Sequence, residues 1–212
     1  MGAYIVVAII AYLLGSISFS VIFSKKFAGI DVRTVGSKNA GATNTLRTAG
    51  KKAAILTLLC DVLKGVISVL IAFLIGLMFD NVDKSLLVQI AGVSVVIGHV
   101  FPIFFKFKGG KGVATSLGVL LMINWQIALI CLVFALVIMI LTKMVSAGSI
   151  LAAVLFPVLT IFISQNYLIP EGSYIVFGII LAVIVIVLHR ENIKKILSGN
   201  ENKLSFSKKE NK

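Results

Sequence analysis

Acidic side chains are scarce in this chain. Of 212 residues only eight are Asp or Glu, against twenty Lys and Arg, and the eight are scattered along the sequence. That scatter excludes the carboxylate cluster that a metal pair requires, and with it the phosphotransferase chemistry of CDP-activated lipids. No metal site is expected. Cysteine is nearly as rare. Cys60 and Cys131 both lie in apolar surroundings, too few for a disulfide framework or a thiolate metal site, and they read as packing residues. There is no internal repeat. A nucleotide P-loop is missing too. The lysine-bearing glycine run at 109–112 has Phe105 where the first glycine of GxxxxGK[ST] belongs, and Gly112 follows Lys111, so nucleotide binding is not implied.

What the chain has instead is hydrophobicity. It is 59% apolar with a mean hydropathy of +1.09, well beyond the roughly half of an ordinary soluble domain. The apolar residues fall in blocks at 3–23, 53–79, 86–105, 113–141, 150–163 and 174–188. A spanning helix needs about 20 such residues, or about 17 at the short end. The expected fold is therefore an all-α integral membrane protein. The first block has no basic region before it and no small-residue cleavage site after it, so it reads as a retained helix.

Basic residues set the orientation. Segment 24–52 carries seven Lys and Arg against Asp31, segment 106–111 carries three lysines, and the C-terminal tail is lysine-rich. Segment 80–84 is acidic on balance, and 166–172 holds only Glu171. The positive-inside rule places the basic segments in the cytoplasm, with the N-terminus outside and the C-terminus inside. Block 113–141 begins and ends at basic residues, and Asn124, Trp125 and Gln126 interrupt it. Two short, tilted helices there give seven transmembrane helices. A single span there gives six and puts 143–149 outside. Residues 1–199 form one membrane domain, and 200–212 a polar, basic, frayed tail. The net charge of +12 is mainly this topology signal. Any surplus attracts anionic lipid or phosphorylated substrates, not nucleic acid.

Four polar segments interrupt the apolar pattern. The first, 35–47, is rich in glycine, hydroxyls and amides: Ser37, Asn39, Thr43 and Asn44 offer hydrogen bonds, and Arg47 a fork for phosphate. It also fits an ordinary polar connector. The second, 98–115, holds His99, Pro102 and the run Gly109-Gly110-Lys111-Gly112 at a helix start. It fits a phosphate site of free amides plus an ammonium, or a glycine turn with topogenic lysines. The third, 143–149, carries Ser146 and Ser149 among small residues that also suit helix packing. The fourth, 189–201, follows the last block, and there His189 and Asn192 share a helical face. Inside the second block Asp61 and Lys64 stand i, i+3. Each costs about 2.5–3.5 kcal/mol at a helix centre. They are expected to face inward as a structural ion pair, or to support the Arg47 loop.

Together these segments resemble the PlsY family, the bacterial acyl-phosphate:glycerol-3-phosphate acyltransferases. Gly36 to Arg47 matches GSxNxGATNxxR, Gly98 to Thr115 matches GHxFPxFxxFxGGKGVAT, and His189 to Glu201 matches HRxNIxRLxxGxE. Many relatives have Gly where this chain has Lys38, Arg where it has Lys195, Leu for Ile196 and Pro for Ser18. The resemblance implies acyl transfer from acyl phosphate to the 1-hydroxyl of glycerol 3-phosphate, with no cofactor. It implies membrane lipid as surroundings and a functional link to the enzyme that makes acyl phosphate. The residues it points to as catalytic are Ser37, Arg47, Lys111, His189 and Asn192. Substrate binding falls to Asn39, Asn44, Gly109, Gly110, Gly112, Ser146 and Ser149. Asp61, Lys64 and Glu201 are structural. The soluble-type His-x4-Asp motif is absent, since neither histidine has an Asp five residues on. A transporter of small organic phosphates is the rival reading. It needs polar groups at the bilayer midplane, where these blocks are almost wholly apolar.

Overall fold

The computed structural model describes residues 1–163 and 174–204. All regular structure in them is helical. The order is α1 (Gly2–Gly15), α2 (Phe19–Ala28), α3 (Ala42–Leu77), α4 (Lys84–Val100), a 3-10 turn at Ile103–Phe105, α5 (Val113–Ile123), α6 (Trp125–Thr142), α7 (Val145–Phe162), α8 (Ile175–Leu188) and α9 (Arg190–Leu197). Leu, Ile and Val side chains stay exposed along the outward faces of most helices, which suits hydrocarbon and not water.

Local chemistry sets the helix ends. The Asp83 carboxylate caps α4 by accepting from Leu86 N–H at 3.0 Å, and Asn124 caps α6 by accepting from Ile127 N–H at 3.0 Å. The helical run that begins at Ala42 breaks at Gly50, where φ is +86° and ψ 175°. Only glycine adopts that conformation without strain. It separates a short first piece, bearing buried Asn44 and exposed Arg47, from the spanning run.

The helices pack through small residues. A Cβ on Gly15 would meet the backbone of Val95, and one on Gly98 the backbone of Tyr12, so α1 and α4 touch backbone to backbone. Gly65 of α3 and Gly118 of α5 meet in the same manner. Beneath them a core forms around Val69, Leu87, Val88, Val95, Val119 and Phe177, with Phe156 edge-on to Phe177 at 6.3 Å.

Among the described residues, five helical stretches are long and apolar enough to span: Gly2–Ala28, Ala42–Leu77, Lys84–Phe105, Trp125–Thr142 and Val145–Phe162. Counting α8 with α9, which bend by 61° at His189, makes six. The expected pair of short helices in 113–141 is present but unequal. The break falls at Asn124, α6 runs 18 residues, and α5 only 11. At 1.5 Å per residue these are roughly 27 Å and roughly 17 Å. The reason is depth. α5 crosses α3 at Gly65 and Gly118, in the middle of the α3 apolar run, so α5 starts inside the apolar layer and not at its edge. The connection at 166–172, expected outside the cell, and residues 205–212 lie outside the described residues.

Candidate functional site

The ends of α2, α4, α6 and α8 and the starts of α3, α5 and α7 meet at one end of the bundle. All four polar segments singled out above lie there. An open depression of about 560 Å³ lies at the other end, lined by residues such as Met1, Val6, Phe79 and Val82. It holds only Asp80 as a charged side chain and is unrelated to this cluster.

The first segment folds around one side chain. Asn44 is buried. Its amide nitrogen lies 2.8 Å from the Val32 carbonyl, 3.1 Å from Val35 and 3.2 Å from Asn39. Its oxygen accepts Ser37 N–H at 3.0 Å. Every polar atom of the amide is used to shape the loop. Asn44, expected among the substrate-binding residues, has its amide engaged with the loop in this structure. What it presents is the exposed Ser37 side chain, whose hydroxyl has no partner among the described residues. Asn39 is half-buried beside it. Arg33 pins the loop to the second segment. It forms an ion pair with Asp31 at 2.7 Å and donates to the Phe105 carbonyl at 2.6 Å. The Arg33 hydrogen bond holds the Asp31 carboxyl down to about 2.

The glycine run differs from expectation in how it uses its amides. Gly109 N–H donates to the Val100 carbonyl at 3.1 Å and Gly110 N–H to the His99 carbonyl at 3.1 Å. Neither is free for phosphate. Glycine is needed here for space: a Cβ on Gly109 would run into the His99 and Val100 carbonyls, and one on Gly110 into the His99 ring and the Ala40 carbonyl. The donors left for an anion are the first-turn amides of α5, which have no intrahelical acceptor. Gly112, with φ +81°, starts that helix.

Lys111 projects from this turn to Asn192 Oδ1. The Asn192 amide donates to Glu201 Oε1 at 2.7 Å. Ser146 Oγ donates to the same oxygen at 2.8 Å. Glu201 Oε2 is buried without a partner among the described residues. Burial holds the Lys111 ammonium below its ordinary value, against the opposing pull of Glu201. Ser149 does not join the cluster. Its hydroxyl bonds back to Val145 O at 2.9 Å within α7.

His189 sits in the corner between α8 and α9, buried, with Nδ1 2.8 Å from the Val185 carbonyl. A carbonyl only accepts, so Nδ1 carries the proton and Nε2 keeps a free lone pair in the neutral ring.

Sequence reasoning named Glu201 but not the contacts of the residues after it, which begin the expected tail. Glu201 enters the cluster, Arg47 Nη2 lies 3.5 Å from the Asn202 carbonyl, and Leu204 N–H donates to Lys143 O at 2.7 Å. The strap closes the circle from the first segment to the fourth. Of the two readings of Asp61 and Lys64, an ion pair or support of the Arg47 loop, the described residues show the ion pair and no contact with Arg47. That pair, 2.8 Å apart, instead meets His99, a residue taken from sequence only as part of a motif.

Helices long and apolar enough to span, with lipid-compatible faces and a cation, hydroxyl and amide cluster at one end, define a membrane protein with a polar site. Comparison gives the family. The sequence model described as Glycerol-3-phosphate acyltransferase matches residues 5–199. The glycerol-3-phosphate acyltransferase of Clostridioides difficile (strain 630) is 43% identical over 97% of this chain and 98% of its own length. That of Thermoanaerobacter sp. (strain X514) is 46% identical over 94% and 95%. Two crystal structures are of PlsY (YgiH), an integral membrane glycerol 3-phosphate acyltransferase. Its glycerol 3-phosphate form superposes with TM-score 0.83, 36% identity and 95% and 96% coverage. Its lysophosphatidic acid form gives TM-score 0.81, 35% identity and 95% of each chain. The chain belongs to the glycerol-3-phosphate acyltransferase family and is an acyltransferase of the membrane.

Proposed function

We propose that this enzyme transfers a fatty acyl group from acyl phosphate to the 1-hydroxyl of glycerol 3-phosphate. The products are 1-acylglycerol 3-phosphate and phosphate. The reading places seven transmembrane helices in the bacterial cytoplasmic membrane, with α5 and α8 as the short ones. The N-terminus is outside, and the cluster faces the cytoplasm. The observation that carries the proposal is the meeting of three distant segments. Lys111, Asn192, Glu201 and Ser146 are joined by hydrogen bonds, and Arg47 reaches the same strap. Such a site suits two phosphates and one hydroxyl.

The chemistry needs little beyond alignment and charge. The hydroxyl oxygen attacks the acyl carbonyl carbon, and the bond from that carbon to the phosphate oxygen breaks. The hydroxyl proton leaves to a base, and the bond's electrons leave with phosphate. An acyl phosphate is already activated, so no acyl-enzyme is required. Positioning two reactants supplies much of the acceleration, and cations stabilise the charge that develops on carbonyl and phosphate oxygens. In this reading Lys111 and the α5 amides, from Gly112 onward, hold one phosphate. Arg47 and Ser37 hold the other, joined by His189 when its Nε2 is protonated. Asn192 orients Lys111 directly, Glu201 with Ser146 behind it fixes Asn192, and Asn39 lines the Ser37 side. The base is His189 Nε2 or an oxygen of the leaving phosphate. If replacing His189 leaves residual turnover with an unchanged pH–rate profile, the base is the phosphate.

The deciding experiment uses purified enzyme with acyl phosphate and glycerol 3-phosphate, reading phosphate release and acylglycerol phosphate together. Acyl-thioester serves as the control donor. Turnover with the thioester and none with acyl phosphate would overturn the choice of donor. Labelling of residues 108–111 from outside intact cells would overturn the topology.

A further inference from the structure

The buried charges of α3 lie outside the cluster but are connected to it. Lys64 Nζ is 2.8 Å from Asp61 Oδ1 and 2.8 Å from His99 Nδ1. The same Asp61 oxygen is 3.5 Å from His99 Nδ1. Two more acceptors, the Gly15 and Ile17 carbonyls at 3.1 Å each, come from the break between α1 and α2. An ammonium is donor only. His99 Nδ1 is therefore an acceptor, and the ring proton sits on Nε2. The Nε2 edge lies against the glycine turn, where a Cβ on Gly110 would overlap Nε2 and Cε1. The His99 carbonyl also accepts Gly110 N–H at 3.1 Å. His99 thus holds the turn by backbone and by side chain, and the next residue after Gly110 is Lys111.

Packing alone does not call for these charges. The helices around them already meet through Gly15, Gly98, Gly65 and Gly118. Ionisable groups at this depth oppose insertion, and they persist where function uses them. We propose that the Asp61–Lys64–His99 cluster is a positioning device for the phosphate-binding turn. The ion pair fixes the imidazole. The imidazole sets the height of residues 109–112, and so the place of the Lys111 ammonium opposite Asn192 and Glu201. His99 is a positioning residue and touches no substrate. The inference rests on the reading that Lys111 holds a substrate phosphate.

Two variants test it. H99N keeps an acceptor near Lys64 but withdraws the ring from Gly110. D61L/K64M replaces the ion pair with apolar residues, an exchange that buried pairs often tolerate. Both are measured in lipid nanodiscs for thermal unfolding, kcat, and the KM of acyl phosphate and of glycerol 3-phosphate. The expected result is near-wild-type unfolding, a KM raised about tenfold for one of the two substrates, and kcat within about threefold. The substrate whose KM moves is the one the turn holds. H99Q, which reaches Gly110 again, recovers part of the loss. Wild-type KM values in a folded variant, or a loss confined to kcat, overturn the proposal. Failure of both variants to fold also overturns it, because the cluster is then structural only. K111M separates the two levels. Full turnover in K111M sinks the phosphate reading itself, whereas loss in K111M beside a wild-type H99N sinks only the positioning role.

Discussion

Lys111 offers the sharpest test of the site. Replacing it with Met removes the ammonium and leaves a side chain of similar length. A charge-assisted hydrogen bond to a phosphate is worth about 1.5–3 kcal/mol. Lys111 also faces Asn192, whose other end holds Glu201. Without the ammonium, the Glu201 carboxylate has no cation in this chain of contacts and repels an incoming phosphate. That adds about 1 kcal/mol in a partly hydrated cleft. The sum is about 2.5–4 kcal/mol, or a fall of roughly 10²–10³ in kcat/KM at 1.36 kcal/mol per decade. The assay is phosphate release from acyl phosphate with glycerol 3-phosphate varied. E201Q in the K111M background removes the unbalanced charge and recovers about fivefold to tenfold of the loss. A K111M enzyme within about threefold of wild type refutes the reasoning, and so does a double variant no better than the single one.

Three further outcomes are expected. Because burial lowers the Lys111 pKa, the ammonium is lost on raising pH before an ordinary lysine deprotonates, and kcat/KM falls on the alkaline side. K111R stays charged, so its alkaline limb moves to higher pH; superimposed limbs in the two enzymes contradict this. Lys38 has φ +58°, so K38G relieves left-handed strain and raises unfolding stability by up to about 1 kcal/mol, and a lower melting temperature argues against it. S146A removes one of the two hydrogen bonds to Glu201 Oε1 and lowers kcat/KM about tenfold, while S149A, whose hydroxyl serves only its own helix, changes it less than about twofold; equal effects of the two reverse that assignment.

The membrane fold was legible because hydrophobic runs and lysine placement report burial in lipid directly. The polar segments were legible as composition, but each also fitted a connector, a turn or a packing face, and only the fold brings them to one end of the bundle. What hydropathy could not show is depth. Nothing in 113–141 says that its first helix starts level with Asp61 and Lys64, because the depth is set by the Gly65–Gly118 crossing between distant segments. The roles within the segments were hidden for a related reason. A glycine that frees its amide and a glycine that admits a neighbouring ring look alike in sequence, and Gly109 and Gly110 proved to be of the second kind. An asparagine that binds substrate and one that shapes a loop also look alike, and the Asn44 amide is engaged with the loop. His99 carried a usable signal, being an ionisable side chain at the end of an apolar block with Asp61 and Lys64 in another. Pairing them required the fold.

The scarcity of acid gains a meaning once the contacts are known. At the site end the described carboxylates are Asp31, Asp61, Glu191 and Glu201. Asp31 is taken by Arg33 and Asp61 by Lys64. Glu191 faces outward, with Lys194 3.7 Å away. Only Glu201 stands inside the cluster, and it is bound by neutral donors, Ser146 and Asn192, so Lys111 reaches it through an amide and not as a closed ion pair. A direct pair would tie up the ammonium and oblige each substrate to break it. An interposed amide keeps the lysine oriented and leaves its charge available. With no second free carboxylate among the described residues there, the field at this end stays positive, which on the proposed function raises the encounter rate of phosphate substrates. Adding one acid at an exposed position, as in Ser37→Asp, would then oppose that field and hinder binding before chemistry begins.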